Sequence, residues 1–346
     1  MADSLKWKKE PGSRVEGSRD MDLSKVQAPG IVALPGGGYR LFYTAVGPGK
    51  PFPVCQGYIL SAYSDDGVNF EVEEGIRLAP DPTIEHGSLR YLAPTVTQLA
   101  DGRWRMYFES RGPAAIPTVI ASAISSDMLE WELEDGVRLH GFDGIGGPRY
   151  VKLPDGRGRL YCFAREPTAK GVISAVTTDG LNFELEPGYR MKVGQSEIEA
   201  KGITAADVLP PSTEGQPWLM LYSGWQDAPA GSVIPPHPSS DPNAAENGLS
   251  EDFAAASIAV DLAGFRSRIF AVHSSDGLVF ERDGCVIEGG GHGTEGVDAF
   301  GAEDMSFIRL DDGSYRVYYA ASRSRADLMM PSACRFRSRS RGASCA

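Results

Sequence analysis

The sequence lacks the features that mark disulfide-rich, membrane-spanning and nucleic-acid-binding proteins. Its five cysteines are odd in number and widely spaced, without a CxxC motif, which favours reduced thiols in a cytoplasmic protein over a disulfide framework or a zinc site. No apolar run approaches about 18 residues, and the opening MADSLKWKKEPGSR has no apolar signal core. A formal net charge of −12 disfavours nucleic acid and anionic membranes as main partners.

Sustained helical periodicity is also missing, whereas turn-forming residues are abundant. The 346 residues include 41 glycines and 24 prolines, without the period of collagen. Hydrophobic residues make up 42% of the chain, a share that is usual for a folded protein. The composition therefore predicts a folded chain of short strands and tight turns.

One short motif recurs four times. Segments 64–71, 125–132, 177–184 and 274–281 each read S/T-x-D-G/M-x-x-aromatic-Glu. Asp and Gly suit a tight turn, and the aromatic residue then begins a short strand. We call these segments the Asp turns, and we interpret their aspartates as turn formers.

A second motif precedes the Asp turns, and it has five copies. Each copy is a short apolar strand, a Gly-rich turn and a strand rich in aromatic residues, as in 28–45, 93–110, 147–164, 205–223 and 303–321. Residues alternate in character along these strands, as they do in a half-buried sheet. Five such repeats predict an all-β chain in the form of a five-bladed β-propeller with four antiparallel strands per blade.

The two ends of the chain complete this scheme. The predicted blades cover residues 28–75, 93–139, 147–191, 205–288 and 303–341, with an insertion at 226–264 in the fourth. The fifth copy lacks its last strand, and residues 7–15 match 131–139 at Trp, Glu, Gly and Arg. We therefore expect residues 5–15 to complete the fifth blade and close the ring, in a single domain spanning 1–346.

Propeller geometry predicts where a site would form. The short, repetitive turns share one face, so the long, unlike connections on the other face are the better place for function. Acidic residues there are candidates for acid/base catalysis, because glycosidic bonds are cleaved by paired carboxylates. The catalytic candidates are Asp207, Glu303, Asp304 and Glu199.

Basic and aromatic residues on the same face are candidates for substrate binding. Arginine binds carboxylate or phosphate groups through paired hydrogen bonds, and an aromatic ring stacks on a sugar. The substrate-binding candidates are Asp22, His86, Arg90, Arg111, Asp143, Arg149, Arg165, Trp225, His292 and Arg323. A structural role is an open alternative for Arg149, Arg165, Asp207 and both histidines, since arginine–acid pairs and packed histidines also hold folds together.

The blade pattern resembles the five-bladed propeller glycosidases. An inner strand opens with Ala-Pro or Gly-Pro, a Gly turn and an aromatic strand follow, and then comes S-x-D-G-x-x-F/W; the similarity covers nearly the whole chain. This is the pattern of the arabinanase/β-xylosidase group (glycoside hydrolase family 43), its invertase-like relatives and the mannoside phosphorylases. The resemblance implies a carbohydrate substrate and, in some relatives, an axial Ca²⁺ or similar ion.

The sequence departs from these families at their three catalytic carboxylates. The resemblance places them at Ala28, Thr95 and Gly146, none of which is acidic. Asp207 keeps the supporting-Asp pattern in blade four, and acids open blade five at Glu303 and Asp304. Acid/base chemistry is therefore expected to have moved to blades four and five, or to use Asp22, Asp143 or histidine.

Three readings remain open at this point. The first is a glycoside hydrolase-like enzyme for a small saccharide or glycoside, an anionic one included. The second is different chemistry on the same scaffold, such as a phosphorylase, lyase or isomerase. The third is a carbohydrate-binding propeller without catalysis. The sequence predicts no obligatory cofactor and no oligomeric state, and it has no evident metal-ligand spacing.

Overall fold

The computed structural model describes eleven stretches of the chain. They are residues 7–22, 25–46, 56–113, 115–166, 169–192, 196–200, 202–226, 267–289, 296–298, 301–322 and 333–338. Most of the insertion expected at 226–264 lies outside these residues, as do His292 and Arg323. Within the described stretches there is no helix long and apolar enough to cross a membrane.

The described residues form an all-β structure, as the repeats predicted. Apart from strands they contain two 3₁₀ turns, at Glu85–Gly87 and Glu197–Glu199. The strands are β1 (Val15–Glu16), β2 (Lys25–Ala33), β3 (Tyr39–Val46), β4 (Gly57–Ser64), β5 (Glu71–Val72), β6 (Arg90–Gln98), β7 (Trp104–Arg111), β8 (Val119–Ser125), β9 (Glu132–Leu133), β10 (Gly144–Lys152), β11 (Gly158–Glu166), β12 (Ala169–Thr177), β13 (Glu184–Leu185), β14 (Met191–Lys192), β15 (Gly202–Leu209), β16 (Trp218–Trp225), β17 (Ser267–Ser274), β18 (Glu281–Ile287), β19 (Gly301–Arg309), β20 (Tyr315–Ser322) and β21 (Ala333–Ser338).

Antiparallel pairing joins these strands in successive groups. The groups are β2-β3-β4-β5, β6-β7-β8-β9, β10-β11-β12-β13, β15-β16-β17-β18 and β19-β20-β21-β1. Each group starts with a strand that we call its inner strand, so the inner strands are β2, β6, β10, β15 and β19. Each inner strand contacts the next one in order, and β19 contacts β2, so that the five form a cycle.

Hydrophobic clusters fill the spaces between neighbouring groups. Each cluster takes side chains from two adjacent groups, and the aromatic residue of an Asp turn packs against it. Trp131, for example, meets the ring of Phe42 edge-on at a centroid distance of 5.8 Å. The repeated aromatic residue is therefore the wedge that holds one group of strands against the preceding one.

The Asp turns have the hydrogen bonds expected of tight turns. Asp66 accepts backbone hydrogen bonds from Val68 and Asn69, and these bonds lower the pKa of its carboxyl. Asp127, Asp179 and Asp276 make the corresponding bonds. Each of these aspartates is therefore occupied by its own turn, as the sequence indicated.

Candidate active site

Every inner strand bends at a β-bulge. The extra residues lie at or beside Ala28, Ala93, Gly147, Thr204 and Asp304. Four of them have a positive φ: 48° at Ala28, 51° at Ala93, 56° at Gly147 and 44° at Asp304. Side chains disfavour this conformation, and bulges re-aim side chains next to functional sites. The level of the bulges is therefore the candidate place for a site.

At the next level of the ring, side chains of three inner strands accept hydrogen bonds from the backbone of the following inner strand. Thr95, Asp207 and Ser306 follow the bulges of their strands, and each accepts a hydrogen bond from a backbone amide of the next inner strand. Asp207 thus accepts the kind of hydrogen bond that a hydroxyl accepts in two other strands. Burial is the main cause of the raised pKa of its carboxyl, and Arg149 opposes this rise.

Arg149 fills the centre of the ring at this level. Its guanidinium group is buried, and its Nε lies 3.8 Å from Asp207 Oδ1. The two terminal nitrogens donate hydrogen bonds to the carbonyl oxygens of Pro29, Pro94, Pro148 and Met305. The four carbonyls belong to four inner strands and Asp207 belongs to the fifth, β15, so Arg149 is a structural cation at the axis. Its contacts are those of a tie between strands and not of a substrate ligand.

An axial divalent ion does not fit beside this arginine. The carbonyl oxygens that would serve as its ligands already accept hydrogen bonds from Arg149, whose positive charge would repel the ion. Among the stretches that the structure describes, no group of three or more His, Cys, Asp or Glu side chains is arranged to hold a metal.

Glu303 and Asp304 lie at the bulge of β19, directly before Met305, whose carbonyl oxygen accepts a hydrogen bond from Arg149. Both side chains keep partial solvent exposure. Even so, desolvation by the surrounding protein is the largest cause of a raised pKa at each carboxyl. The two carboxyls are therefore surrounded by protein without being cut off from solvent. Lys25 opposes the rise at both carboxyls, so its positive charge lies near the pair.

The two carboxyls repel each other, and the negative charge of Asp304 is a further cause of the raised pKa of Glu303. Among the described residues, neither carboxylate has a hydrogen bond or an ion pair of its own; Asp304 is held through its backbone amide, which donates to Ser223 Oγ. Such a pair titrates in two steps, so one proton is shared over a range of pH. The pair is therefore a candidate for acid/base chemistry.

Glu109 is a third carboxylate of this group, and the sequence reasoning did not find it. It lies near the end of β7 and is buried, and its negative charge raises the pKa of Asp304. Arg111 Nε donates to its Oε1, and the backbone amide of Gly147 donates to its Oε2. Thr44 and Ser223 accept the corresponding amide hydrogen bonds in two other groups of strands. The sequence signal for this site was therefore an acidic residue at a repeat position where two other copies have a hydroxyl.

Arg111 and Arg149 are the predicted binding candidates that lie against this acidic group. Arg111 remains one-third exposed and reaches solvent beside Glu109. Arg165 and Asp143 are exposed, and Gly144 lies near Arg165. Arg90 is buried at the start of β6.

Four other candidates are held by contacts within the protein instead. Asp22 is held by the backbone amides of residues 18 and 19 and by the Arg19 side chain. Glu199 is fully buried and bonds to Tyr222 and Arg282. Trp225 is buried, and its indole donates to Thr204. The ring of His86 contacts Ser110 Oγ at 3.2 Å, and burial lowers its pKa.

Solved structures share this fold, whereas no protein-family model and no curated protein sequence matches the chain. One is described as a putative glycoside hydrolase from Parabacteroides distasonis (11% identity, 92% of this chain and 94% of that one, TM-score 0.64). A second is a thermostable family-43 glycoside hydrolase (13%, 97% and 94%, TM-score 0.64).

A third is described with the GH130 family of mannoside phosphorylases, which contains glycoside hydrolases that target β-1,2-mannosidic linkages in Candida mannan (12%, 98% and 94%, TM-score 0.63). At these identities the likeness establishes the fold, which is that of the propeller glycosidases. It does not establish the reaction, because a fold hosts many chemistries.

Proposed function

We propose that this protein is a carbohydrate-active enzyme that cleaves a small glycoside by carboxylate acid/base chemistry at the bulge of β19, beside the axial Arg149. The observation that carries the proposal is the Glu303–Asp304 pair. Its two enclosed carboxyls lie at a strained bulge of an inner strand, and no described residue binds either carboxylate. Structural acids elsewhere in the ring, such as Asp22 and Glu199, are saturated with hydrogen bonds. The likeness of the fold to glycoside hydrolases supports the same proposal.

The chemistry follows from the proton that the pair retains. Glycoside cleavage needs a carboxylic acid that protonates the leaving oxygen and a carboxylate that assists attack at the anomeric carbon. Burial and repulsion raise the pKa of Glu303, so this carboxyl is the better proton donor of the two. Lys25 and Arg111 border the site and would bind an anionic group on the saccharide.

We also infer that the scaffold is a five-bladed propeller closed by the N-terminal segment. β1 pairs with β21, so that Val15 faces Cys334 as Leu139 faces Ile120 in the second group. Trp7 packs against the hydrophobic cluster of the fourth and fifth groups, where an Asp-turn aromatic would otherwise be needed. Lys9 Nζ lies 2.7 Å from the buried Asp298.

Hydrolysis of aryl glycosides by the wild-type protein is the direct test. A panel that covers neutral and uronic-acid sugars should contain at least one substrate that is turned over. Glu303→Gln should lower kcat/KM on that substrate by about 10²–10⁴-fold, the usual contribution of a general acid. Glu71→Gln, an exposed acid on the outer strand β5, is the matched control. Full activity in Glu303→Gln would refute the assignment.

Phosphorolysis is the second candidate, and the basic border of the site together with the likeness to mannoside phosphorylases favours it. The same panel run with and without inorganic phosphate separates the two reactions. Turnover that requires phosphate and releases a sugar phosphate would select the phosphorylase. Saccharide binding in calorimetry without turnover in either buffer would select a binding propeller.

A further inference from the structure

Gly146 has no side chain, and a side chain from a neighbouring strand fills the space that this leaves. A Cβ atom at this position would lie 1.9 Å from Glu109 Oε2, far inside van der Waals contact. The carboxylate of Glu109 thus reaches across from β7 and occupies the side-chain position of the inner strand β10. Any residue larger than glycine at 146 would expel it. The glycine and the glutamate therefore form one spatial unit.

The hydrogen bond that Glu109 accepts from the bulge amide does not require a carboxylate. At the matching position of the second strand, opposite a residue that flanks the bulge, the five groups have Thr44, Glu109, Phe163, Ser223 and Ala320. A hydroxyl is sufficient to accept the bulge amide in two groups, and two groups have no acceptor at all. A buried carboxylate needs a partner such as Arg111, which a hydroxyl would not need, so the bulge hydrogen bond alone does not account for Glu109.

The contacts of Glu109 orient it toward the Glu303–Asp304 pair. Arg111 donates a hydrogen bond to one oxygen of Glu109, and the Gly147 amide donates to the other. These two bonds fix the carboxylate group without using all of its acceptor positions. Gly147, which holds Glu109, and Asp304 directly precede Pro148 and Met305, whose carbonyl oxygens both accept hydrogen bonds from Arg149, so the two carboxylates stand around the same guanidinium group. The charge of Glu109 is also felt at Asp304. A fixed carboxylate near an acid pair is the arrangement that base-assisted displacement needs.

Resting on the function proposed above, we propose that Glu109 is the general base of the reaction. A water molecule attacks the anomeric carbon and passes its proton to Glu109 as the new C–O bond forms. The glycosidic C–O bond breaks at the same time, and the leaving oxygen takes the proton that the Glu303–Asp304 pair shares. Solvent then restores both protonation states. The water oxygen ends on the sugar, so the anomeric configuration inverts.

Glu109→Thr is the test variant, because threonine is the residue that caps the bulge amide from Thr44. The variant should fold with an unchanged circular dichroism spectrum. On the aryl glycoside that the wild type hydrolyses, kcat/KM should fall by about 10²–10⁴-fold. The acidic limb of its pH profile should disappear, whereas Glu303→Gln should lose the alkaline limb.

Gly146→Ala provides a second perturbation that leaves Glu109 chemically intact. It should displace the carboxylate and reproduce the loss of the acidic limb. Gly202→Ala is the matched control, because nothing lies within 4 Å of a Cβ atom at this position, and it should retain activity. Gly156→Ala is less suitable, because φ is +86° there.

The outcomes separate the two proposals. Wild-type turnover that Glu303→Gln abolishes and Glu109→Thr leaves within about threefold would overturn the role of Glu109 alone. Product of retained configuration in the NMR spectrum would also overturn it. No turnover and no saccharide binding by the wild type on the whole panel would overturn the proposed function, and the general base with it.

Discussion

Replacing Arg149 by methionine removes the cation that holds the centre of the ring. Methionine keeps an unbranched, apolar side chain in the same space but has no donors. Four backbone carbonyls then lose hydrogen bonds, and Asp207 loses its opposite charge while still buried. Leaving one partner of a buried ion pair without the other costs about 3–5 kcal/mol.

This cost converts to a measurable shift in thermal stability. With an unfolding entropy of about 2 cal/mol/K per residue, a chain of 346 residues should lose about 4–7 °C in Tm. Arg157→Met is the control, because Arg157 pairs with Asp155 at an exposed position. An exposed pair of this kind contributes at most about 1 kcal/mol.

The double variant Arg149→Met/Asp207→Asn tests the mechanism as well as the magnitude. It removes both charges, so it should recover part of the stability that Arg149→Met loses, with a coupling of about 1–3 kcal/mol in urea denaturation. Arg149→Ala should gain Tm on addition of Ca²⁺, since the vacated oxygens suit that ion, and the wild type should not. Arg149→Met that unfolds no earlier than Arg157→Met would refute the axial role.

Three further predictions concern the site and the ring. Glu303 and Asp304 have raised pKa values, so the stability linked to them is complete below the ordinary carboxyl pKa of about 4 and is lost as pH rises through neutrality. Between pH 5 and 8 in calorimetry, the Tm of Glu303→Gln/Asp304→Asn should therefore fall less than the Tm of the wild type. An equal fall in both proteins would contradict this prediction. The buried hydroxyls of Tyr107, Tyr161 and Tyr318 each donate a hydrogen bond to a glycine carbonyl of an Asp turn in another group of strands. Each Tyr→Phe variant should therefore lower the free energy of unfolding by about 1 kcal/mol in urea denaturation. A Tyr318→Phe variant of unchanged stability would count against ring closure. Arg14 is buried and donates to Glu10, so Arg14→Met should cost about 1–3 kcal/mol in the same assay, whereas the exposed Lys8→Met should cost less than about 0.5.

The repeats made the all-β fold and its turns predictable. A turn is a local structure, so the S/T-x-D-G pattern contains the hydroxyl, carboxylate and glycine that its hydrogen bonds need; Asp66 is one example. The match between residues 7–15 and 131–139 likewise predicted an N-terminal strand beside the last blade, and β1 lies next to β21. The number of blades and the closure of the ring remain proposals that these pairings support.

The candidate site was predicted less completely, because it depends on contacts between groups of strands. Glu303 and Asp304 stood out because they open an inner strand. Asp22 and Glu199 had the same composition signal, yet Asp22 is held by donors of residues 18 and 19, and Glu199 is enclosed by donors 23 and 83 positions along the chain. A carboxylate that reacts and one that holds a loop differ in their neighbours, and neighbours distant in sequence cannot be read from a local motif.

The sequence by itself therefore determined the repeating strand pattern, the Asp turns and the wedge aromatics, since each depends on residues a few positions apart. Only the tertiary structure decided which charges meet at the axis. Arg149 became a structural cation because five strands converge on its guanidinium, and Glu109 joined the Glu303–Asp304 group because Gly146, 37 positions along the chain, leaves it room. Both outcomes depend on close packing around the ring, where a single missing Cβ or one extra charge changes what the site can do.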